Sequence, residues 1–101
     1  MPILSYLRFA LASEADREAF EADLEAMRRL AATQPGFRWA EVARSLADPR
    51  VYVVVSLWDE VEQVRAWEHH PEHEEVIRRW EDRYEKPFVH QRYVPWLRPS
   101  A

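Results

Sequence analysis

The chain has 101 residues, which is enough for one domain and too few for two. Its 14 basic and 18 acidic residues give a net charge of −4 and are interspersed, which argues against a nucleic-acid-binding surface because phosphate recognition needs a basic excess. The lack of cysteine excludes disulfides, thiolate metal sites and thiol nucleophiles. No apolar run approaches the ~20 residues of a membrane span and no secretory signal is recognisable, so we expect a soluble, cytoplasmic protein.

Aromatic residues are abundant, with five Trp, four Tyr and four Phe. Each large ring buries roughly 150–250 Å², so a monomer of this size has little room to enclose them all. We therefore expect some rings to line a cavity or a dimer interface, the alternative being an aromatic-rich core and nothing more.

The first part of the chain predicts a strand followed by a helix. Residues 3–11 are apolar with aromatic rings among them, which favours a strand. Ser13 is a candidate N-cap for the helix, which Pro35 and Gly36 end. The helical period is carried by one apolar face that contains Phe20, Leu24, Met27 and Ala31.

Two strands around a short turn come next. Residues 37–46 are a strand candidate with imperfect alternation, so we expect a bulge there. Residues 51–58 are the clearest strand, because they are rich in β-branched residues and are bounded by turn residues. The turn at residues 47–50 predicts that the two strands form an antiparallel hairpin.

Two helical segments and a last strand complete the chain. Asp59 is the expected cap of the first segment, which carries Val61, Val64 and Trp67. Pro71 is expected in the first turn of the second segment. The apolar face of that segment contains His73, Ile77, Trp80 and Tyr84. Residues 88–97 predict the final strand, with Pro95 near its end.

This order of elements predicts a single α+β domain over residues 1–101 with the ferredoxin-like βαββαβ fold, a four-stranded antiparallel sheet with two helices on one face. The other face of the sheet is then left apolar and open. A second copy of the chain is the partner that best covers such a face, so we expect a homodimer.

The stretch from Pro35 to His73 resembles the antibiotic biosynthesis monooxygenase family of dimeric α+β barrels. The motifs that carry the resemblance are Pro35-Gly36-Phe37, Trp58-Asp59, Trp67 and Pro71-x-His73. The resemblance implies the dimeric α+β barrel fold. For activity, it implies either cofactor-independent oxidation of aromatic polyketides or quinols, or the degradation of haem.

The haem-degrading members of that family use a Trp on the second helix, an iron-ligating His nine or ten residues later, and an Asn on the first strand. Trp67 matches the first of these residues, but Val76 and Ile77 occupy the two positions where the histidine is expected. The sequence has no Asn, so the Asn that the cofactor-free oxygenases use is also missing. The family's usual haem site is therefore not expected here.

The candidate site combines the resemblance with the chemistry of the residues. A cofactor-free oxygenase needs a base to deprotonate a phenolic or hydroquinone substrate and a donor to stabilise the anion, both in a dry pocket. We take Trp67, His73 and Tyr52 as candidate catalytic residues. The candidate substrate-binding residues are Trp67, His70, Phe20, Trp80 and His90. The simpler alternative is that Trp67 anchors the core and the polar strand residues face solvent or a partner subunit.

Metal and nucleotide chemistry are not expected. His69, His70 and His73 lie close together in sequence, but zinc or iron would need at least a third ligand from elsewhere. The single Gly excludes glycine-rich phosphate loops. We therefore predict neither a metal nor a cofactor.

The sequence thus predicts a cofactor-independent monooxygenase acting on a small aromatic or quinol-type substrate in a pocket between sheet and helices. One alternative is a non-catalytic dimeric barrel that binds a small apolar ligand in a stress or regulatory role, and a third is haem binding or degradation. An enzyme requires a cavity beside Trp67 with a polar side chain directed inward. A structural barrel would instead fill that volume with Trp39, Trp80, Phe20 and their neighbours.

Overall fold

The computed structural model describes residues 1–96. Its strands are β1 (Ile3–Ala10), β2 (Phe37–Arg44), β3 (Val51–Trp58) and β4 (Val89–Tyr93). Its α-helices are α1 (Arg17–Ala31), α2 (Val61–Glu68) and α3 (Pro71–Trp80). No helix in this part of the chain is long and apolar enough to cross a membrane.

The strands form one antiparallel sheet in the order β2-β3-β1-β4, which confirms the predicted ferredoxin-like arrangement. The central strand β3 has the predicted bounds, since its β-branched residues are bounded on both sides by turn residues. The predicted bulge lies in β2, where the pairing with β3 shifts between Phe37 and Trp39. The helical layer contains α2 and α3 as separate helices, and Pro71 occupies the first turn of α3 as predicted.

Alternation along the strands divides the sheet into two faces. The inner face, toward the helices, consists of Ser5, Leu7 and Phe9 from β1 and of Val54, Ser56 and Trp58 from β3. The outer face carries Leu4, Tyr6, Val53, Val55 and Leu57, all of them only partly buried by residues 1–96. The inner face therefore forms the core, and the outer face remains open in one chain.

Two helix starts differ from the sequence predictions. Ser13 caps a single 3₁₀ turn, because its hydroxyl accepts the N–H of Ala15, and α1 begins only at Arg17. Asp59 was the wrong cap for α2, whose cap is Glu60. The backbone N–H of Glu60 donates to Oε1 of Gln63 at 3.0 Å, whereas Asp59 forms an ion pair with Arg38. Neighbouring acidic residues compete for such a position, and the sequence did not show which one the turn would place there.

The last helix and the last strand are both shorter than predicted. α3 ends at Trp80, so Tyr84 lies beyond the helix and forms an isolated bridge with Leu11. β4 covers Val89–Tyr93 instead of residues 88–97, and Leu97 lies outside the described residues. Tyr84 still packs in the core, because its ring contacts Phe9 from the side.

Candidate active site

A cavity of about 240 Å³ lies between the inner face of the sheet and the helices. All four strands and all three α-helices contribute to its wall. Most of the wall is apolar, with Leu7, Phe9, Met27, Val54 and Val76 among the lining residues. The polar side chains on the wall include Ser5, Ser56, Glu68, His73 and His90. An apolar volume with a few polar groups is the usual form of a small-molecule site.

The volume is not filled in the way that a purely structural barrel requires. Phe20 and Trp80 are buried and line the cavity without closing it. Trp39 pairs with Leu57 on the outer face and is 44% exposed, so its ring cannot fill the inner volume.

Trp67 lies on the cavity wall because α2 directs one stripe of side chains toward the sheet. Its indole stacks on Trp58 of β3 at a ring-centroid distance of 6.4 Å. The ring of His73 is almost parallel to the indole, with centroids 4.3 Å apart and planes 10° apart. Packing against both neighbours restricts the orientation of the indole at the cavity.

The tautomer of His73 follows from its hydrogen bond. Its Nδ1 lies 3.1 Å from the carbonyl oxygen of Trp67, and a carbonyl can only accept, so Nδ1 carries the proton. Nε2 is then the nitrogen with a free lone pair. Burial lowers the pKa of His73 below its ordinary value of 6.5, and the bond to the Trp67 carbonyl opposes this shift. His73 is therefore a neutral imidazole at pH 7 and can accept a proton.

A charged cluster lies where α2 ends opposite the edge strand β4. Arg92 donates to Oε1 of Glu68, and the two form an ion pair. The other carboxylate oxygen, Oε2, lies 3.0 Å from Nε2 of His90. Oε2 is buried, yet no donor among the described residues is aligned for a hydrogen bond with it. The carboxylate thus retains an unused acceptor at the cavity wall.

A second carboxylate fixes the aromatic wall contributed by α3. Trp80 Nε1 donates to Oδ2 of Asp23 at 2.7 Å, and Arg79 contacts the same oxygen at 2.7 Å. The Trp80 ring also contacts Phe20 edge-on at 5.1 Å. These contacts hold two predicted substrate-binding residues in place on the cavity wall.

The structure brings five of the seven predicted site residues together around the cavity: Trp67, His73, Phe20, Trp80 and His90. Tyr52 is 2% exposed and is not among the lining residues. Its hydroxyl donates to Glu21 at a separate surface depression. His70 is also absent from the lining, because it caps α3 and its Nδ1 accepts the N–H of Glu72 at 3.2 Å.

Sequence analysis missed Glu68 and Asp23. Glu68 lies seven residues after Val61 and four after Val64, so it falls on the apolar stripe of its helix. A charged residue on a buried stripe is the signal that could have identified it, since such groups are buried only when they are paired. In residues 1–96 no cluster of three or more His, Asp or Glu side chains is arranged to hold a metal ion.

The βαββαβ sheet and the inner cavity define a class of small α+β proteins with an internal cavity between sheet and helices. Residues 3–79 match the family described as antibiotic biosynthesis monooxygenase, and because this match covers most of the chain, the chain belongs to that family.

Solved structures agree on the fold. Rv0793 from Mycobacterium tuberculosis superposes with a TM-score of 0.88 at 17% identity, covering 99% of this chain and 100% of that one. SnoaB from Streptomyces nogalater, described as a cofactor-independent oxygenase, has a TM-score of 0.83 at 16% identity over 96% of this chain and 95% of its own. At these identities the similarity shows the fold alone.

One curated relative is similar in sequence. The uncharacterized protein YqjZ of Bacillus subtilis strain 168 is 46% identical over 50 residues, which are 50% of this chain and 42% of that protein. The chain thus matches less than half the length of YqjZ.

Proposed function

We propose that this protein is a cofactor-independent monooxygenase that oxidises a small aromatic diol of the hydroquinone type in the inner cavity. The observation that carries the proposal is an apolar cavity whose wall includes a neutral imidazole stacked on an indole, His73 on Trp67. Proton removal from a phenol requires a base that is unprotonated at the working pH and lies within hydrogen-bond reach of the hydroxyl. The family membership and the oxygenase described for SnoaB support the same reaction class.

In this mechanism His73 is the base. Its Nδ1 proton is held by the Trp67 carbonyl, so Nε2 takes the proton from a substrate hydroxyl, and the O–H bond breaks as the N–H bond forms. The resulting aromatic anion is electron-rich and reduces O₂ directly. One oxygen atom enters the ring and the other leaves as water, so a hydroquinone and O₂ give a hydroxyquinone and H₂O.

The cavity limits the size of the substrate. An apolar cavity of about 150 Å³ takes one benzene ring, and drug-sized pockets begin at roughly 300 Å³. A volume of about 240 Å³ therefore suits one ring or two fused rings. Trp67, Phe20, Trp80 and His90 line the cavity and would contact the bound ring.

The test is oxygen uptake with benzohydroquinone and a naphthohydroquinone, compared with heat-denatured protein to correct for auto-oxidation. His73→Gln keeps a polar side chain but removes the base, and we expect kcat to fall about 100-fold or more. Glu72→Gln is the matched control, because Glu72 is an exposed residue on the same helix and does not line the cavity. Uptake that is equal in His73→Gln and in the unsubstituted protein would refute His73 as the base.

The cavity also supports the second function, binding of a small apolar ligand without turnover. Quenching of Trp fluorescence by a one-ring or two-ring arene, together with no oxygen uptake above the denatured control for any quinol, would favour ligand binding without turnover.

Haem does not fit the residues present, because Trp67 and His73 stack on each other at 4.3 Å and leave no space for a porphyrin between them.

The open outer face of the sheet supports a homodimer. This face includes half-buried Tyr6, Val55 and Leu57, with Trp39 44% and Tyr93 47% exposed. An antiparallel sheet covered on one side only leaves such a surface in water, and an identical apolar face is self-complementary. Sedimentation at micromolar concentration should give the dimer mass, and Val55→Glu, which places a charge on this face, should give the monomer. A monomer without the substitution would refute the assignment.

A further inference from the structure

We propose that His90 is a second proton acceptor in the cavity and that Glu68 is its positioning residue. This inference rests on the proposed function and deepens it, since a hydroquinone has two hydroxyl protons and His73 accounts for only one. The group that would take the other must lie on a different wall of the same cavity. His90 is on β4, whereas His73 is on α3.

The observation behind the proposal is the unused oxygen of Glu68. The side chain is 20% exposed and Arg92 binds Oε1, so the position of the carboxylate is fixed. Oε2 is buried without an aligned donor, an arrangement that native proteins rarely leave unexplained. The nearest group that can carry a proton is Nε2 of His90, 3.0 Å away.

One added proton gives the His90–Glu68 pair the hydrogen bond that it lacks. With a proton on Nε2 and a rotation of the His90 ring that aligns this N–H with Oε2, His90 donates to Oε2, and the buried oxygen obtains the partner that it lacks. Nδ1 is then the ring nitrogen that meets the substrate. As the substrate O–H bond breaks, its proton joins Nδ1, and Glu68 stabilises the imidazolium that results, as the carboxylate does in a histidine–carboxylate dyad.

Other charged and titratable groups lie around the pair, and Asp23 and Arg28 of α1 line the same cavity. Arg92 on β4 balances the carboxylate charge. His73 on α3 senses the charge of Glu68, and His69 at the end of α2 lies on the same cavity wall. Arg8 is on the adjacent strand β1, one position from Leu7 and on the opposite face of the sheet. Among these groups, Arg92 is the one that contacts Glu68 directly.

The test separates proton transfer from oxidation. Without oxygen, 1,4-dihydroxynaphthalene binds but does not react, and its ultraviolet spectrum shifts to longer wavelength when a hydroxyl ionises. We would titrate this shift against pH for the protein and for Glu68→Gln, His90→Gln and Glu62→Gln. Glu62→Gln is the matched control, since Glu62 is an exposed carboxylate on the same helix.

We expect Glu68→Gln and His90→Gln to raise the pH at which the bound ligand completes its ionisation by about one unit, which is a roughly 10-fold change in the ionisation constant of the ligand. The control should not change it. In air, Glu68→Gln should lower kcat about 10-fold with KM nearly unchanged. His90→Gln leaves the Glu68–Arg92 ion pair intact, so it tests the pair even if Glu68→Gln folds poorly.

Each outcome has one meaning. Identical ionisation curves for Glu68→Gln, His90→Gln and the unsubstituted protein would overturn the pair, whatever the oxygen uptake. Shifted ionisation curves in a protein that consumes no oxygen would support the pair and refute the proposed oxygenase. A ligand spectrum that does not change on addition of any form of the protein would overturn both.

Discussion

The turn that joins α1 to β2 depends on a glycine, and its replacement gives a prediction with a magnitude. Gly36 has φ +81°, the left-handed region that side chains rarely adopt. A Cβ at this position would lie 1.8 Å from Oε1 of Gln63, so the Gln63 side chain would have to move. That oxygen accepts the backbone N–H of Glu60 at the start of α2, the helix that carries Trp67.

The cost of Gly36→Ala is the sum of two effects. The left-handed conformation costs an alanine roughly 1–2 kcal/mol. Displacing Gln63 removes the hydrogen bond to Glu60, which is worth about 1 kcal/mol. We expect the free energy of unfolding to fall by about 2–3 kcal/mol, which corresponds to a decrease in Tm of about 10 °C for a chain of this length.

The assay is thermal and urea unfolding followed by circular dichroism for Gly36→Ala, Gln63→Ala and the double variant. Gln63→Ala alone should cost about 1 kcal/mol, because it removes the same hydrogen bond. Once Gln63 is truncated the new Cβ has nothing to displace, so the double variant should cost little more than Gly36→Ala alone. Strict additivity would refute the contact with Gln63, and a cost of Gly36→Ala below about 0.5 kcal/mol would refute the conformational argument.

Two further predictions concern titrating side chains. Burial lowers the pKa of His73 below its ordinary value of 6.5. As the pH falls below 6.5, the unfolded chain therefore takes up a proton that the folded chain does not. The free energy of unfolding then decreases by up to about 1.4 kcal/mol per pH unit until the pH reaches the pKa of His73 in the folded chain. Urea unfolding at about pH 7.5 and about pH 5.5 should show this loss of stability. His73→Gln should reduce the loss, whereas His69→Gln should not. Equal losses in the two variants would contradict the assignment of the loss to His73. The Tyr52 hydroxyl is the main cause that lowers the pKa of Glu21, so this carboxylate adds stability above its ordinary pKa and loses it as pH falls through the lowered value. Tyr52→Phe should therefore cost about 1 kcal/mol at pH 7 and less near pH 3 in the same assay, and a cost that does not depend on pH would refute the role of Glu21.

Much of the fold could be predicted because it follows from local patterns. The β-branched run of Val51–Trp58 fixes a buried strand with the correct bounds, and the stripe through Phe20 and Ala31 identifies the buried face of α1. Helix starts were less accurate. Asp59 is the preferred cap by residue type, and only the turn after β3 places Glu60 in that position instead.

The candidate site could be predicted in part. Trp67 and His73 were identifiable from the resemblance, and both line the cavity. Glu68 was not identified, because its importance depends on Arg92 and His90, which reach it from a strand more than 20 residues later. Tyr52 and His70 have the right chemistry for a site, but their polar atoms are bonded to Glu21 and to the α3 backbone.

The sequence by itself determined the order of elements and the family, since periodicity and short motifs are local properties of the chain. Only the tertiary structure decided that a volume of about 240 Å³ remains between sheet and helices, that His73 holds its proton on Nδ1, and that one oxygen of Glu68 is buried without a donor. These features depend on how side chains from distant segments fill a shared space. Packing and hydrogen-bond partners are set by that three-dimensional arrangement and leave no periodic trace in the sequence.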